Sequence, residues 1–301
     1  MASARENVIE TGPNLQGARH ISEFRRVVRI FFGRRLAVIG FVFVLLVVIC
    51  AIFSPWLAPY DPFAMSMKEH LDQPSSSHLL GTDQLGRDLL SRIIYGARVS
   101  LIIGLVAVGS AAVVGQSLGL IAAYFGGAVF TIIMRAIDSL MSIPPLLLFI
   151  IIAGSLGGGM RNVILALAVG MIPVHCRLMC AQALSIKQND YVMAGKSIGA
   201  SPLRVMLRHI FPNAFPPLLV VITMDLGTAI LAEASLSFLG VGIVPPTPAW
   251  GSMVNEGRAF LLSNPFYSIS PGVAIMLVVF GFNMMGDGLR DALDPRLRGT
   301  F

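Results

Sequence analysis

Residues 99 to 134 form a tract of thirty-six residues without one charged side chain. A helix crosses the ~30 Å hydrocarbon core of a bilayer with ~20 apolar residues, so this tract exceeds one span. Tyr124-Phe125-Gly126-Gly127 breaks it. The sequence therefore predicts one span at 99–124 and another at 130–153, with Arg135 and Asp138 near the start of the second and glycine-rich 154–159 at its end. An earlier span covers residues 36 to about 57, because no charge follows Arg35 until Asp61. Three more are read at 162–184, 213–234 and 268–287. Continuous apolar runs satisfy their backbone polar groups as helices, whereas a β-barrel needs short alternating strands. The expected fold class is all-α, a polytopic membrane protein with six transmembrane helices. Composition agrees. AVILMFWYC residues make up 55% and charged residues 13%, the latter roughly half the ~25% of a soluble domain. A soluble enzyme and a disordered tail are thereby excluded. Cys50, Cys176 and Cys180 cannot build a disulfide framework.

Lys and Arg beside the spans set the orientation. Arg25, Arg26, Arg29, Arg34 and Arg35 precede the first span and place the N-terminus in the cytoplasm. Six spans return the C-terminus, with Arg290, Arg296 and Arg298, to the same side. The 184–213 loop with Lys187, Lys196, Arg204 and Arg208 also falls inside, and with Arg5, Arg19, and Arg135 and Arg177 near inner membrane ends, 16 of the 22 basic residues are cytoplasmic. A cleaved signal peptide is not expected, since 35 residues are too long for an n-region and no A-x-A site follows. The basic leader reads as a topology signal, with contact to anionic lipid as the other use.

The 184–213 loop has strong helix punctuation. Asp190 or Asn189 is placed to cap a first short helix, and Gly199 to stop it. Ser201 is placed to cap a second with Pro202 at its first position, and Pro212 is expected to end that helix. Ala194, Gly195 and Gly199 keep one side of the bend small, as a docking element needs.

These residues resemble the EAA loop of ABC-transporter permeases, E-A-A-x(3)-G-x(9)-I-x-L-P. Met193, Ala194 and Gly195 occupy the E-A-A positions, and Gly199 and Pro212 match the Gly and Pro. His209 replaces the Ile, Phe211 the Leu, and Met193 stands where the family has its glutamate. Other segments resemble the dipeptide/oligopeptide/nickel branch of that family: 80–88 (LGTDQLGRD) with Ser91-Arg92, 141–148 (MSIPPLLL), 233–242 (EASLSFLGVG), 245–251 (PPTPAWG) and 286–296 (GDGLRDALDPR). Together they cover about residues 21–298 and look like the C-type permease subunit of a peptide importer.

The resemblance implies a type I ABC importer permease fold in a bacterial cytoplasmic (inner) membrane. It divides the chain into a cytoplasmic tail at 1–35, a first helix and outer loop at 36–98, a permease domain at 99–288 and a cytoplasmic tail at 289–301. It further implies a second permease subunit, as a heterodimer, two cytoplasmic ATPase subunits, an external substrate-binding protein and membrane lipid as partners, with no nucleic acid. The chain would hydrolyse nothing and bind no cofactor, ATP and Mg belonging to the ATPases. Asp190, Met193, Ala194, Gly195, Lys196, Gly199, Ala200, Arg204, His209 and Pro212, within the coupling loop 185–212, would form the ATPase contact.

Other groups have two readings each. Gly195-Lys196-Ser197 mimics the end of a phosphate-binding loop, but Asp190 stands at its first glycine and no strand precedes it. Arg135 and Asp138, i and i+3, are placed to pair on one helix near a membrane end, or to serve substrate or proton movement. Asp225 has no basic residue within four positions and is the better candidate to line a polar path. Glu233 closes the same span. Cys176 and Cys180 share a helix face with His175 rotated away, which fits buried packing better than a metal site. Gly115 and Gly119 allow a close helix approach to a neighbour the sequence does not identify. Pro144-Pro145 predicts a kink in the third span. In the outer loop 58–98, Thr82 or Asp83 is placed to cap an amphipathic surface helix, and in the loop 235–267 Trp250 is read as an interfacial anchor. Three rivals stand beside the peptide importer: a nickel or metal-chelate importer, a stand-alone secondary transporter or channel, and an intramembrane enzyme built on His175 and the two cysteines.

Overall fold

The computed structural model describes residues 23–293. The start of the predicted tail, before residue 23, and the last residues, with Arg296 and Arg298, lie outside them. Within the described residues the chain is helical, with loops between helices and one isolated antiparallel bridge, Thr82 to Asp88.

A short amphipathic helix, α1 (Glu23–Gly33), precedes α2 (Arg35–Leu57). The rest of the bundle comprises α3 (Leu89–Phe125), α4 (Gly127–Met141), α5 (Pro145–Leu156), α6 (Met160–Ile186), α7 (Asp190–Ser197), α8 (Pro202–Val205), α9 (Phe211–Phe238), α10 (Trp250–Gly257) and α11 (Phe266–Leu293). Among the described residues five stretches are long and apolar enough to cross a membrane: α2, α3, α6, α11 and the helical run from Pro202 through α9. The third predicted span is instead two helices. α4 and α5 meet at 88° across residues 142–144. Ile143 and Pro144 each precede a proline, which drives them out of the α region, and Pro145 then starts α5 afresh. The predicted kink is thus a corner.

α3 is the axis of the bundle. It runs 37 residues without a break, about 55 Å at 1.5 Å per residue, and packs along α2, α6 and α9. Its closest neighbour is α6, which answers the question left by Gly115 and Gly119. A Cβ on Gly115 would stand 2.7 Å from the Ile172 carbonyl oxygen, so only glycine lets the two backbones meet there. Ala107, Ala111, Ala166 and Leu167 continue the same seam.

Two loop expectations need correction. Asp88, rather than Thr82 or Asp83, caps the helix after the 58–88 loop, its carboxylate accepting from the Ser91 amide at 2.7 Å. No separate surface helix forms, because residues 89–98 are the first turns of α3, with Leu89, Ser91 and Arg92 buried. Trp250 is likewise not an interfacial anchor. It is 2% exposed, starts α10, and its Nε1 donates to the Ile93 carbonyl at 2.9 Å. The indole N–H finds its partner on α3, so the ring can be buried.

The 58–88 loop is tied down by buried charge. Asp83 accepts from Arg87 Nε at 2.6 Å, and Arg92 Nε lies 3.5 Å from the same carboxylate. Asp88 meets His78 Nδ1 at 2.9 Å, and Arg87 reaches Glu256, which accepts the Tyr267 hydroxyl at 2.7 Å. The 80–88 segment therefore joins α3 to α10 and α11 at one end of the bundle.

Candidate functional site, the 187–210 loop

The loop lies at the opposite end of α3. Asn189 has the extended backbone of an N-cap, but its side chain makes no capping bond. Asp190 instead opens α7 in the first turn, where a carboxylate meets the positive end of the helix dipole. The stop at Gly199 is a Schellman turn. The Ala200 amide donates to the Gly195 carbonyl and the Gly199 amide to that of Lys196, with Gly199 at φ +82°. Ser201 then caps α8, accepting from the Arg204 amide, and Pro202 takes the first helical position.

Pro212 does not end this second helix. A widened π turn, Met206–Ile210, carries the chain into α9, and Pro212 sits in the first turn of α9. Its missing N–H leaves a gap in α-helical bonding, and the π turn falls beside that gap. The docking-shaped loop is thus continuous with a membrane helix.

α7 has two faces. Val192, Gly195, Val205, Met206 and Ile210 are buried against Leu120, Ala123, Met179 and Ala183 at the ends of α3 and α6. The other face leaves Met193 49%, Ile198 86%, Leu203 62% and Leu207 56% exposed. Between them lies a cleft of about 390 Å³ lined by Tyr191, Ala194, Gly195, Ile198, Gly199, Ala200, Arg204 and His209. His209 and Gly195, two departures from the family motif, face each other. A methyl at 195 would touch His209 at an ordinary 3.8 Å, so nothing steric demands glycine there. Asp190 and Arg204 are exposed, and Lys196 lies over the Tyr124 ring. Burial and the neighbouring Lys196 ammonium hold Lys187 below its ordinary pKa. Gly195-Lys196-Ser197 is helical and does not form a phosphate cradle.

The three path candidates are not brought together. Asp138 pairs with Arg177 of α6 rather than with Arg135, both partners being half-exposed. Arg135 is exposed and forms no ion pair among the described residues. Asp225 has a partner after all: His175 Nε2 on α6 lies 3.3 Å from its carboxylate. Sequence reasoning set His175 beside the cysteines and searched for Asp225's partner within one helix. The usable signal was that each is an isolated mid-span ionisable residue, which hydrocarbon forces to face protein. Glu233 is fully buried, accepting from Ser237 at 2.7 Å and Ser100 at 3.4 Å.

Residues 115–299 match the family described as binding-protein-dependent transport system inner membrane component, and residues 22–75 match the N-terminal TM domain of oligopeptide transport permease C. The chain is 44% identical over 274 residues to the dipeptide transport system permease protein DppC of Haemophilus influenzae, covering 89% of this chain and 93% of the relative. It is 41% identical over 296 residues to the glutathione transport system permease protein GsiD of Shigella boydii, covering 98% of each. Among solved structures, it is similar to a chain of the inward-facing MetNI methionine ABC transporter, with TM-score 0.54 and 20% identity, over 68% of this chain and 98% of that one. That likeness concerns the fold.

Proposed function

The chain belongs to the family of binding-protein-dependent transport system inner membrane components, and on that premise we propose that it is the permease subunit of an ATP-driven importer of short peptides. The observation that carries this reading is the match along nearly the whole chain to permeases named for dipeptide and glutathione transport. Those names favour a peptide cargo over a metal chelate. The family is one of transport permeases, so the work of hydrolysis falls to partner chains that bind ATP and Mg.

The 187–210 loop is the proposed docking site for those ATPases. Its exposed Met193, Ile198, Leu203 and Leu207 are large apolar groups in water, as expected of a surface that a partner covers. Met193 in place of the motif's glutamate makes this contact more apolar than the family pattern. The basic residues beside the spans support a cytoplasmic loop with both termini on the same side. A second permease subunit, two ATPases and an external binding protein complete the assembly we propose. In the membrane, α3, α6 and α9 would carry motion from the docked loop to the peptide path.

Co-purification from membranes tests the docking surface. The tagged wild type should retain its ATPases, and Ile198→Arg, which puts charge on the most exposed apolar position of the loop, should lose them while inserting normally. Uptake of labelled dipeptide by the complete transporter tests the cargo. A chain that never holds an ATPase, or that transports alone without ATP, sinks the reading.

A further inference from the structure

α3 ends at Phe125, where the chain turns away through Gly126 at φ +67°. The Ala123 and Tyr124 carbonyls belong to the last turn, whose oxygens find no further N–H within the helix. Lys187, the residue that closes α6, supplies the donors. Its Nζ donates to the Ala123 carbonyl at 3.0 Å and to that of Tyr124 at 2.7 Å. An ammonium there also meets the negative end of the helix dipole.

The Tyr124 ring is then engaged by two cations. Lys187 Nζ lies 5.7 Å from its centroid and Lys196 Nζ 5.2 Å. Both distances are within the ~6 Å reach of cation–π attraction. Lys196 belongs to α7, and Lys187 to the end of α6. One aromatic ring at the tip of the longest helix thus joins three elements.

We propose that Tyr124, gripped by Lys187 and Lys196, is the latch through which displacement of α7 moves α3, making these three positioning residues for transport. α3 suits the part. It is a single unbroken helix, it packs on α2, α6 and α9, and its far end is fixed by the Asp83 ion cluster. The buried apolar side chains of the loop already rest on this end of α3, and the latch adds a directional polar grip to that packing. The ring also holds two like charges together. An aliphatic residue in its place would leave two ammoniums repelling each other with nothing between them to attract both. The ring face makes this contact, so phenylalanine should serve as well as tyrosine.

This inference rests on the docking reading of the loop, and its experiment keeps the two apart. The complete transporter, with second permease, ATPases and binding protein, is reconstituted in proteoliposomes carrying wild type, Tyr124→Phe, Tyr124→Leu or Lys196→Met. Labelled dipeptide uptake per ATP hydrolysed is measured, together with ATPase retention. Tyr124→Leu should keep its ATPases while uptake per ATP falls about three- to tenfold, with Tyr124→Phe within about twofold of wild type, and Lys196→Met should show the same fall in uptake for each ATP hydrolysed by the ATPases it holds. Amide exchange of residues 190–199, read on the assembled transporter without ATP, should quicken in the Leu variant and not in the Phe variant. Wild-type uptake per ATP in Tyr124→Leu overturns the latch, as does a Phe variant as impaired as the Leu variant. Unchanged exchange in Tyr124→Leu overturns the contact itself, whatever transport does. Failure of the docking reading shows elsewhere, as ATPases retained by Ile198→Arg.

Discussion

The two ends of α3 handle charge in opposite ways. At the Leu89 end, Asp83, Arg87, Asp88 and Arg92 are each at most 2% exposed, and they bond to one another and to His78. At the Phe125 end, Asp190, Lys196, Arg204 and Arg208 are at the surface, while Ile198, Leu203 and Leu207 stand in water. Buried charges tolerate little movement, because each lost partner leaves an uncompensated ion in a poor solvent. Exposed apolar side chains ask for a cover. The first end is a self-contained fixture and the second a surface built for something else. On the importer reading proposed above, that division puts the fixed point and the driven point at opposite ends of one helix.

The sharpest way to break the contrast is to remove Asp83. Both Arg87 and Arg92 would lose their shared carboxylate while remaining buried. Asp83→Ala should cost about 3–5 kcal/mol, the range for breaking a buried pair from one side. A thermal scan of the purified chain in detergent reads this as a large drop in Tm. A drop no larger than that of a surface variant would mean the cluster is solvated in practice, and the fixed-end reading would go with it.

At the driven end the stability effect should be smaller and the functional effect larger. Gly199 sits at φ +82°, where any L side chain is strained by roughly 1–2 kcal/mol. No neighbour lies within 4 Å of a Cβ there, so the strain is conformational rather than steric. Gly199→Trp should therefore lose the ATPases, both by disturbing the Schellman turn and by filling the open side of the bend. Gly199→Ala should weaken retention through the turn alone. Equal retention in all three forms would show that the turn does not shape the docking face.

The same contrast explains what could be read without coordinates. Ser201, Pro202 and Gly199 were legible because capping is local chemistry, settled within about four residues. Span positions were legible because hydrocarbon excludes charge. The burial of Trp250 was not, since its partner is the Ile93 carbonyl, far away in the chain. The corner between α4 and α5 was visible as Pro144-Pro145, but a proline pair signals a break and not its angle. Pro212 was misjudged because a proline in the first turn of a helix and a proline after the last one look alike in sequence. Asp225 and His175 needed the rotation of α6 against α9, which the Gly115 and Gly119 approach to α3 helps to set.

That interhelical contact offers a middle case, inside the bundle and away from both ends. His175 is fully buried and Asp225 partly so. A double-mutant cycle of His175→Gln and Asp225→Asn should return a coupling energy of about 0.6–1.7 kcal/mol, the range for polar pairs between membrane helices. That is well below the Asp83 effect, although a carboxylate again faces a nitrogen base. The difference comes from number: Asp83 serves two guanidiniums and two backbone amides, and Asp225 meets one imidazole.

The smallest effect is expected at Arg135, and it separates two assignments of Asp138. Sequence spacing pairs Asp138 with Arg135 on the same helix, while the structure pairs it with Arg177 across to α6. Both side chains of the observed pair are about half exposed, so solvent screens the attraction and the coupling should be only about 0–1 kcal/mol. In cycles with Asp138→Asn, coupling to Arg177→Gln should be measurable at low salt and fade as salt is raised, because exposed charges are screened over about a Debye length. Coupling to Arg135→Gln should be nil at every salt concentration. A larger coupling to Arg135 would reassign the pair to one helix. It would also detach α4 from α6, leaving the segment before the proline corner held by apolar packing alone.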